Sequence, residues 1–160
     1  HCESDYYDVT YMYRLRWNDV VHEPGELRAV AYKAGKKIGQ AVMRTAGEPA
    51  AIRLTPDRTQ LAATGEDLAY ILVEALDRKG TLCPLADHLV HFEIDGPAEI
   101  AGVGNGNPLS LEPFQSDSRK LFYGKAVLIL RTVEGQRGPI RVTARSAGLE
   151  DGRVRLRAVR

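Results

Sequence analysis

The chain has 160 residues, 44% of them hydrophobic and 27% charged, a composition that places it among ordinary globular proteins. Its 22 basic and 21 acidic residues leave a net charge of +1, which is too small to concentrate nucleic acid or an anionic membrane at the surface. No stretch approaches the ~18 apolar residues of a membrane span, so we expect no nucleic acid and no membrane as a partner.

The first part of the chain carries the two-residue alternation of β-strands. Apolar and polar side chains alternate over residues 6–17 and again over residues 26–33. Residues 34–37 then make a tight, glycine-containing connection to residues 38–44, and this pattern predicts a hairpin. Because three strands are too few to enclose a core, residues 1–47 are predicted to be the closing, C-terminal part of an antiparallel β-domain.

A new pattern of strands begins after a segment punctuated by Gly47 and Pro49, which is the best candidate for a linker. Residues 48–160 are therefore predicted to be a second domain. Its predicted strands are residues 51–55, 68–77, 89–94, 99–103, 125–132, 140–147 and 153–159. About seven short strands separated by turns indicate an all-β fold, an immunoglobulin-like antiparallel β-sandwich. The strand at 68–77 is apolar on both faces and is predicted to be buried on two sides.

Three groups of residues resemble a catalytic carboxylate pair, a metal site and a dinucleotide-binding motif. Glu93 and Asp95 share a face of one strand, but they stand at its end and are predicted to be solvated. His88 and His91 are three apart on a strand and point to opposite faces, so they cannot share a metal ion. Glycines 102, 104 and 106 resemble the start of a dinucleotide motif, but no helix is predicted after them. We therefore predict no catalytic residue, no metal site and no cofactor.

The polar loop after the strand at 99–103 is the one candidate binding site. Asn105, Asn107, Ser110 and Asp117, with Ser116 beside them, offer groups that could hold a sugar hydroxyl or an ion. Asparagine also tolerates left-handed turns, so a purely structural role for these side chains remains the alternative.

The two cysteines, Cys2 and Cys83, are too few for a disulfide framework and are predicted to be free thiols.

Several ordered segments resemble one family of enzymes. They are WNDVVHEPGELRAVAYK at residues 17–33, RTAGEPA at 44–50, DLAYILVEALD at 67–77 and GVGNGNPLSLE at 102–112. The first is similar to the end of the accessory β-domain that follows the barrel in bacterial glycoside hydrolase family 2 enzymes of the β-galactosidase type. The later segments are similar to the C-terminal immunoglobulin-like domain of that family. Matches of this kind cover essentially the whole chain.

The resemblance implies that the chain is a non-catalytic accessory region. The family's two catalytic glutamates lie upstream, in a (β/α)8 barrel, and the parent enzyme would hydrolyse terminal β-galactosides or related β-glycosides with retention. The implied partner is the parent's own catalytic barrel, and the region could also extend a homodimer or bring a loop near carbohydrate. A periplasmic or secreted parent is expected from the family. Because the chain opens on His1, we expect it to be a piece of a longer protein.

Two alternatives stay open at this point, a carbohydrate-binding module and a structural immunoglobulin-like surface module. Arrays of surface modules repeat in sequence, and no internal repeat is visible here.

Overall fold

The computed structural model describes residues 20–160. Contacts divide the chain into two units, His1–Thr45 and Ala46–Arg160, and the first is described from residue 20 onward. The strand predicted at residues 6–17 lies outside the described residues, as does Cys2. The limits of the two domains, and the assignment of the first to an accessory sandwich, stay predictions.

The described part of the first unit is an antiparallel hairpin, as predicted. Strand β1 (Glu26–Lys33) pairs along its length with β2 (Lys36–Arg44). The two residues between them, Ala34 and Gly35, have φ values of 48° and 74°. Positive φ at both positions is the geometry of a type I′ turn, whose twist matches that of the paired strands. Because the turn needs only two residues, β2 begins two residues earlier than predicted.

The second unit, all of whose residues are described, contains nine strands. They are β3 (Pro49–Pro56), β4 (Gln60–Ala62), β5 (Leu68–Asp77), β6 (Leu89–Asp95), β7 (Ala98–Gly104), β8 (Ser118–Lys120), β9 (Lys125–Thr132), β10 (Gly138–Arg145) and β11 (Gly152–Val159). All seven predicted strands are present. The three-residue strands β4 and β8 were not predicted, because so short a segment carries no readable alternation.

These nine strands form two sheets with the core between them. One sheet has the order β4-β11-β10-β6-β8 and the other β3-β5-β9-β7. Neighbouring strands are antiparallel except β4 and β11, which pair in parallel. Residues 20–160 contain no helix, and the predicted all-β sandwich is confirmed. None of the elements in this described part is an apolar helix that could span a membrane.

The core follows from the alternation along each strand. On β9, Ala126, Leu128 and Leu130 are at most 1% exposed, and Ile140 and Val142 of β10 in the other sheet belong to the same buried cluster. Each fully buried aliphatic side chain of this size stabilises the fold by roughly 1.5–3 kcal/mol relative to an exposed one. The inward residues of the two sheets therefore hold the sandwich together.

The prediction that β5 is buried on both sides is confirmed only for the second half of the strand, where residues 73–77 are all buried. Ala69, Ile71 and Val73 face the core and are fully buried, but Tyr70 on the other face is 46% exposed. A two-layer sandwich covers only the inner face of each sheet, so Tyr70 on the outer face stays in contact with solvent. Near the end of the strand the outer face carries Glu74 and Leu76, which are 6% and 8% exposed, and Glu74 is ion-paired with Arg53 of β3 and Lys125 of β9.

Candidate functional site

The candidate loop, residues 105–117, lies at one end of the sandwich. Strands β5 and β7 both run antiparallel to β9, so both finish at the same end of their sheet, and β3 starts there. The connection after β5, residues 78–88, is therefore a neighbour of the loop. The segment leading into the sandwich is fixed at this end too, because Gly47 N donates to Asp77 Oδ2 at 2.8 Å. We call this end the loop end, and residues 105–117 the long loop.

A buried arginine on β8 organises the long loop. Arg119 is 2% exposed, and one of its terminal nitrogens donates to the backbone oxygens of Glu112 at 2.9 Å and of Pro113 at 3.4 Å. Its other terminal nitrogen donates to Asn105 Oδ1 at 3.3 Å. The guanidinium carbon also lies 5.2 Å from the centre of the Phe114 ring, within cation–π range. One planar group thus fixes both halves of the loop.

Glu112 supplies the matching negative charge. Its carboxylate accepts hydrogen bonds from Ser110 Oγ at 2.9 Å and Lys120 N at 3.1 Å, and it lies 3.8 Å from Arg119 Nε. Desolvation raises the pKa of Glu112, but the Lys120 N–H, the Ser110 hydroxyl and the Arg119 charge outweigh it and hold that pKa below its ordinary value. The carboxylate is therefore committed to bracing the loop.

The asparagines build the first turns of the loop. Asn105 Oδ1 accepts from Asn107 N at 3.0 Å, and Asn107 Oδ1 accepts from Leu109 N at 3.0 Å, which makes two successive Asx turns. Gly106 between them has a φ of 73°, a conformation that glycine adopts without strain. Asn105 Nδ2 also donates to Lys120 O at 2.9 Å. These side-chain amides fix the path of the backbone, which is the structural role that the sequence predicts as the alternative to binding.

The four residues predicted to contact sugar lie in one loop, but their polar groups do not form a common binding site. The side chains of Asn105 and Ser110 form hydrogen bonds with the loop and with the end of β8. Within residues 20–160, no hydrogen bond occupies Asn107 Nδ2 or the carboxylate of Asp117, whose side chain is exposed. Contact with carbohydrate stays a prediction, and these last two groups are the ones that could make it.

Sequence reasoning did not single out Arg119 or Glu112 as parts of this site. Arg119 follows Ser118 on a three-residue strand, and nothing in its neighbourhood separates it from a solvated arginine. Its role depends on the path of a loop that returns from Glu112 to place two carbonyls against it. An arginine placed between charged and polar residues carries no local sign of such burial.

The long loop also covers an edge of the sheet. Val103 N, on the outer side of β7, donates to Phe114 O at 2.7 Å. Strand β7 is an outermost strand of its sheet, so this N–H would otherwise face solvent.

The paired acids, Glu93 and Asp95, are solvated, as predicted, and each also forms an ion pair. Glu93 Oε2 lies 2.6 Å from Arg145 Nη1, and Asp95 Oδ2 lies 2.7 Å from Arg141 Nη1, with all four side chains more than half exposed. Such surface pairs stabilise a fold by about 0–1 kcal/mol. Two carboxylates neutralised by arginines on the open face of a sheet have no cleft to hold a sugar between them.

No group of three or more potential metal ligands is found among residues 20–160.

Cys83 is buried at the loop end and forms no disulfide with any described residue. Burial raises the pKa of its thiol, and the charges of Asp77 and Glu48 raise it further. A buried thiol that resists ionisation is a small apolar side chain of the core rather than a nucleophile.

Comparison with known families assigns both units. Residues 52–155 match the glycoside hydrolase family 2 C-terminal domain 5, and residues 5–39 match a domain of unknown function, DUF4982. The first match covers most of the sandwich described above.

Individual relatives match across both units. The chain is 46% identical over 139 residues to the β-galactosidase BoGH2A of Bacteroides ovatus, covering 87% of this chain and 16% of that protein. It is 31% identical over 150 residues to a β-glucuronidase of Formosa agariphila, covering 92% of this chain and 15% of the relative. A crystal structure of a glycosyl hydrolase family 2 member from Bacteroides cellulosilyticus is similar with a TM-score of 0.84 and 40% identity, over 88% of this chain and 18% of that one. The chain therefore spans less than a fifth of the length of these relatives.

Proposed function

Because this chain belongs to glycoside hydrolase family 2, we propose that it serves as the non-catalytic C-terminal accessory region of a β-galactosidase-like enzyme. The observation that carries the proposal is the 46% identity to a β-galactosidase over 139 residues that include both units. The resemblance identified from sequence alone is confirmed at the level of the family. The activity of the whole parent enzyme is part of the proposal.

The parent enzyme would hydrolyse terminal β-galactosides, or related β-glycosides, with retention. Retaining hydrolysis needs two carboxyl groups about 5 Å apart on either side of the scissile bond, one as nucleophile and one as acid and base. In the second unit, Glu74, Glu93 and Asp95 on the sheet faces are each ion-paired with an arginine, and Glu74 also with a lysine. The family implies that both catalytic carboxylates lie in the upstream barrel, and that arrangement is part of the proposal. The similarity to a β-glucuronidase supports leaving the glycone open between galactoside and glucuronide.

The accessory region would work by packing against that barrel. A rigid two-sheet sandwich with a braced loop at one end suits a role in support and positioning, because its order does not depend on substrate. A periplasmic or secreted location and a homodimeric parent remain expectations from the family.

Activity measurements test the proposal directly. The complete parent enzyme should hydrolyse a nitrophenyl β-galactoside or β-glucuronide, and the 160-residue chain alone should hydrolyse neither. Turnover by the pure 160-residue chain, lost on a single substitution within it, would show the proposal to be wrong. So would a complete parent protein with no glycosidase activity on any β-glycoside.

A further inference from the structure

Five large apolar side chains stand exposed at the loop end. They are Leu85 (91% exposed), Leu109 (86%), Leu111 (99%), Phe114 (71%) and Tyr123 (67%). We call these five the apolar tip. A single exposed leucine needs no explanation, but several on neighbouring loops mark a surface that is covered by something.

The backbone joins the two parts of the apolar tip. Gly124 N donates to Ala86 O at 3.1 Å, so that Tyr123 lies beside the segment that carries Leu85. Asn105 Nδ2 also donates to Lys120 O at 2.9 Å. This bond links the start of the long loop to the end of β8, three residues before Tyr123. The segments that carry the apolar residues therefore lie beside one another at the loop end.

The long loop is held in the conformation that exposes its leucines. Arg119 and Glu112 fix the middle of the loop through four hydrogen bonds and one ion pair, and the Asx turns fix its start. Leu109 and Leu111 thus project from a braced backbone. A surface that is already ordered loses little conformational entropy when a partner covers it, which favours docking.

We propose that the apolar tip is a docking surface for the catalytic region of the same polypeptide. This inference rests on the proposed function, since it needs a parent enzyme with an upstream barrel. The matched model is that of a C-terminal domain, and BoGH2A has 84% of its length outside the matched part, since 16% is covered. The chain enters the sandwich at the loop end, where Gly47 is held by Asp77, so everything upstream is connected to the sandwich through this end.

The chemistry of the apolar tip favours protein over sugar. Three of its five members are leucines, which offer neither a stacking ring nor a hydrogen bond to a sugar. The nearby charges of Arg119 and Glu112 are paired with each other, and both side chains make hydrogen bonds within the loop. A small apolar surface binds weakly between separate molecules. Within one polypeptide the linker raises the effective concentration of the partner to the millimolar range, so a patch of this size suffices.

The accessibility of a thiol placed on the apolar tip tests the inference. The variant Leu111→Cys is labelled with a maleimide in the 160-residue chain and in the complete parent enzyme, and the labelled peptide is followed by mass spectrometry. We expect labelling to be about tenfold or more slower in the complete enzyme. The matched control is Gln136→Cys in the exposed turn between β9 and β10, at the opposite end of the sandwich, which should label equally fast in both.

Each other outcome overturns the inference. Equal labelling of Leu111→Cys in both proteins, with the complete enzyme active, would leave the proposed function intact and remove the docking surface. Protection that grows with the concentration of the 160-residue chain would assign the apolar tip to a second copy. Protection that appears only with added galactoside or glucuronide would assign it to carbohydrate. Loss of the proposed function itself is detected separately, as absence of glycosidase activity.

A charge substitution provides a second, independent measurement. Leu111→Asp should leave the unfolding midpoint of the 160-residue chain unchanged, because Leu111 is 99% exposed there, and should lower that of the complete enzyme. Gln136→Asp should change neither midpoint. An unchanged midpoint for Leu111→Asp in the complete enzyme would contradict docking at this surface.

Discussion

The carboxylate of Asp77 accepts a hydrogen bond of 2.8 Å from the backbone N–H of Gly47, thirty residues earlier in the chain. Its other oxygen accepts from Lys79 N and Thr81 N, each at 2.8 Å. One side chain therefore closes the turn after β5 and anchors the segment that leads into the sandwich. Removing its charge or its acceptors should affect both at once.

The substitution Asp77→Asn should destabilise the chain and loosen the leading segment. Asparagine keeps one acceptor oxygen for the turn, but its amide nitrogen would face Gly47 N–H, and two donors would then oppose each other. We expect a lower denaturation midpoint and faster amide exchange at Gly47. Asp87→Asn, at an exposed position farther along the same connection, should leave both unchanged. Equal effects of the two variants would show that the Gly47 contact contributes nothing.

Acid should weaken the fold through the same group. The Gly47 N–H, and then the Thr81 and Lys79 N–H groups, hold the pKa of Asp77 below its ordinary value of 3.8. A carboxyl whose pKa is lower in the folded than in the unfolded chain stabilises the fold above the unfolded pKa, and this contribution disappears as pH falls through the folded pKa. Urea unfolding at about pH 6 and about pH 3 should show the loss of stability in acid. In Asp77→Asn, the difference in unfolding free energy between the two pH values should be smaller. If the difference is as large as in the unchanged chain, other carboxyls such as Glu112 are responsible for it.

A core substitution should cost far more than one at the apolar tip. Leu128 on β9 is fully buried, so Leu128→Ala should lower the free energy of unfolding by about 2–5 kcal/mol. Leu111→Ala removes the same atoms from a side chain that is 99% exposed, and should change the value by less than about 0.5 kcal/mol in the 160-residue chain. Denaturant titration of the two variants measures both. A large effect of Leu111→Ala would mean that this leucine is already packed in the free chain.

Loss of the Arg119 guanidinium should release the long loop. Arg119→Met would leave the backbone carbonyls of Glu112 and Pro113 without this donor and the Glu112 carboxylate without its ion-pair partner, and we expect a cost of about 1–3 kcal/mol. Amide exchange in residues 105–117 should accelerate while that of β9 does not. Arg119→Lys should rescue little, because a single ammonium cannot span the same acceptors. Arg155→Met, on the exposed face of β11, is the control, and a long loop equally protected in all three variants would contradict the role of Arg119.

Local alternation was sufficient to predict most of the fold. The strands at Leu68–Asp77 and Lys125–Thr132 have the same bounds as predicted, because apolar periodicity and flanking turn residues are both local in sequence. The burial of β5 on both faces was predicted correctly only for its second half, since which outer positions of a sheet are covered depends on residues far along the chain. Strand β4 could not be found at all, because its parallel partner β11 lies almost a hundred residues away.

In the candidate loop, too, the features that depend on distant parts of the chain could not be predicted. Its position and its asparagine turns follow from a run of glycine, asparagine and proline. The burial of Arg119 does not, because it needs the loop to fold back over β8, and no local pattern encodes that path. The structure therefore changes the interpretation of the loop from a set of polar ligands to a braced support for apolar side chains.

The hydrogen bond from Val103 N to Phe114 O gives the long loop a second constraint. Strand β7 would otherwise offer an open row of donors and acceptors to a strand from another molecule, the usual start of edge-to-edge aggregation. A shortened loop would expose that edge even if it left the sandwich core untouched. The length of the loop is thus limited by the need to cover this part of the β7 edge, whatever the apolar tip contacts afterwards.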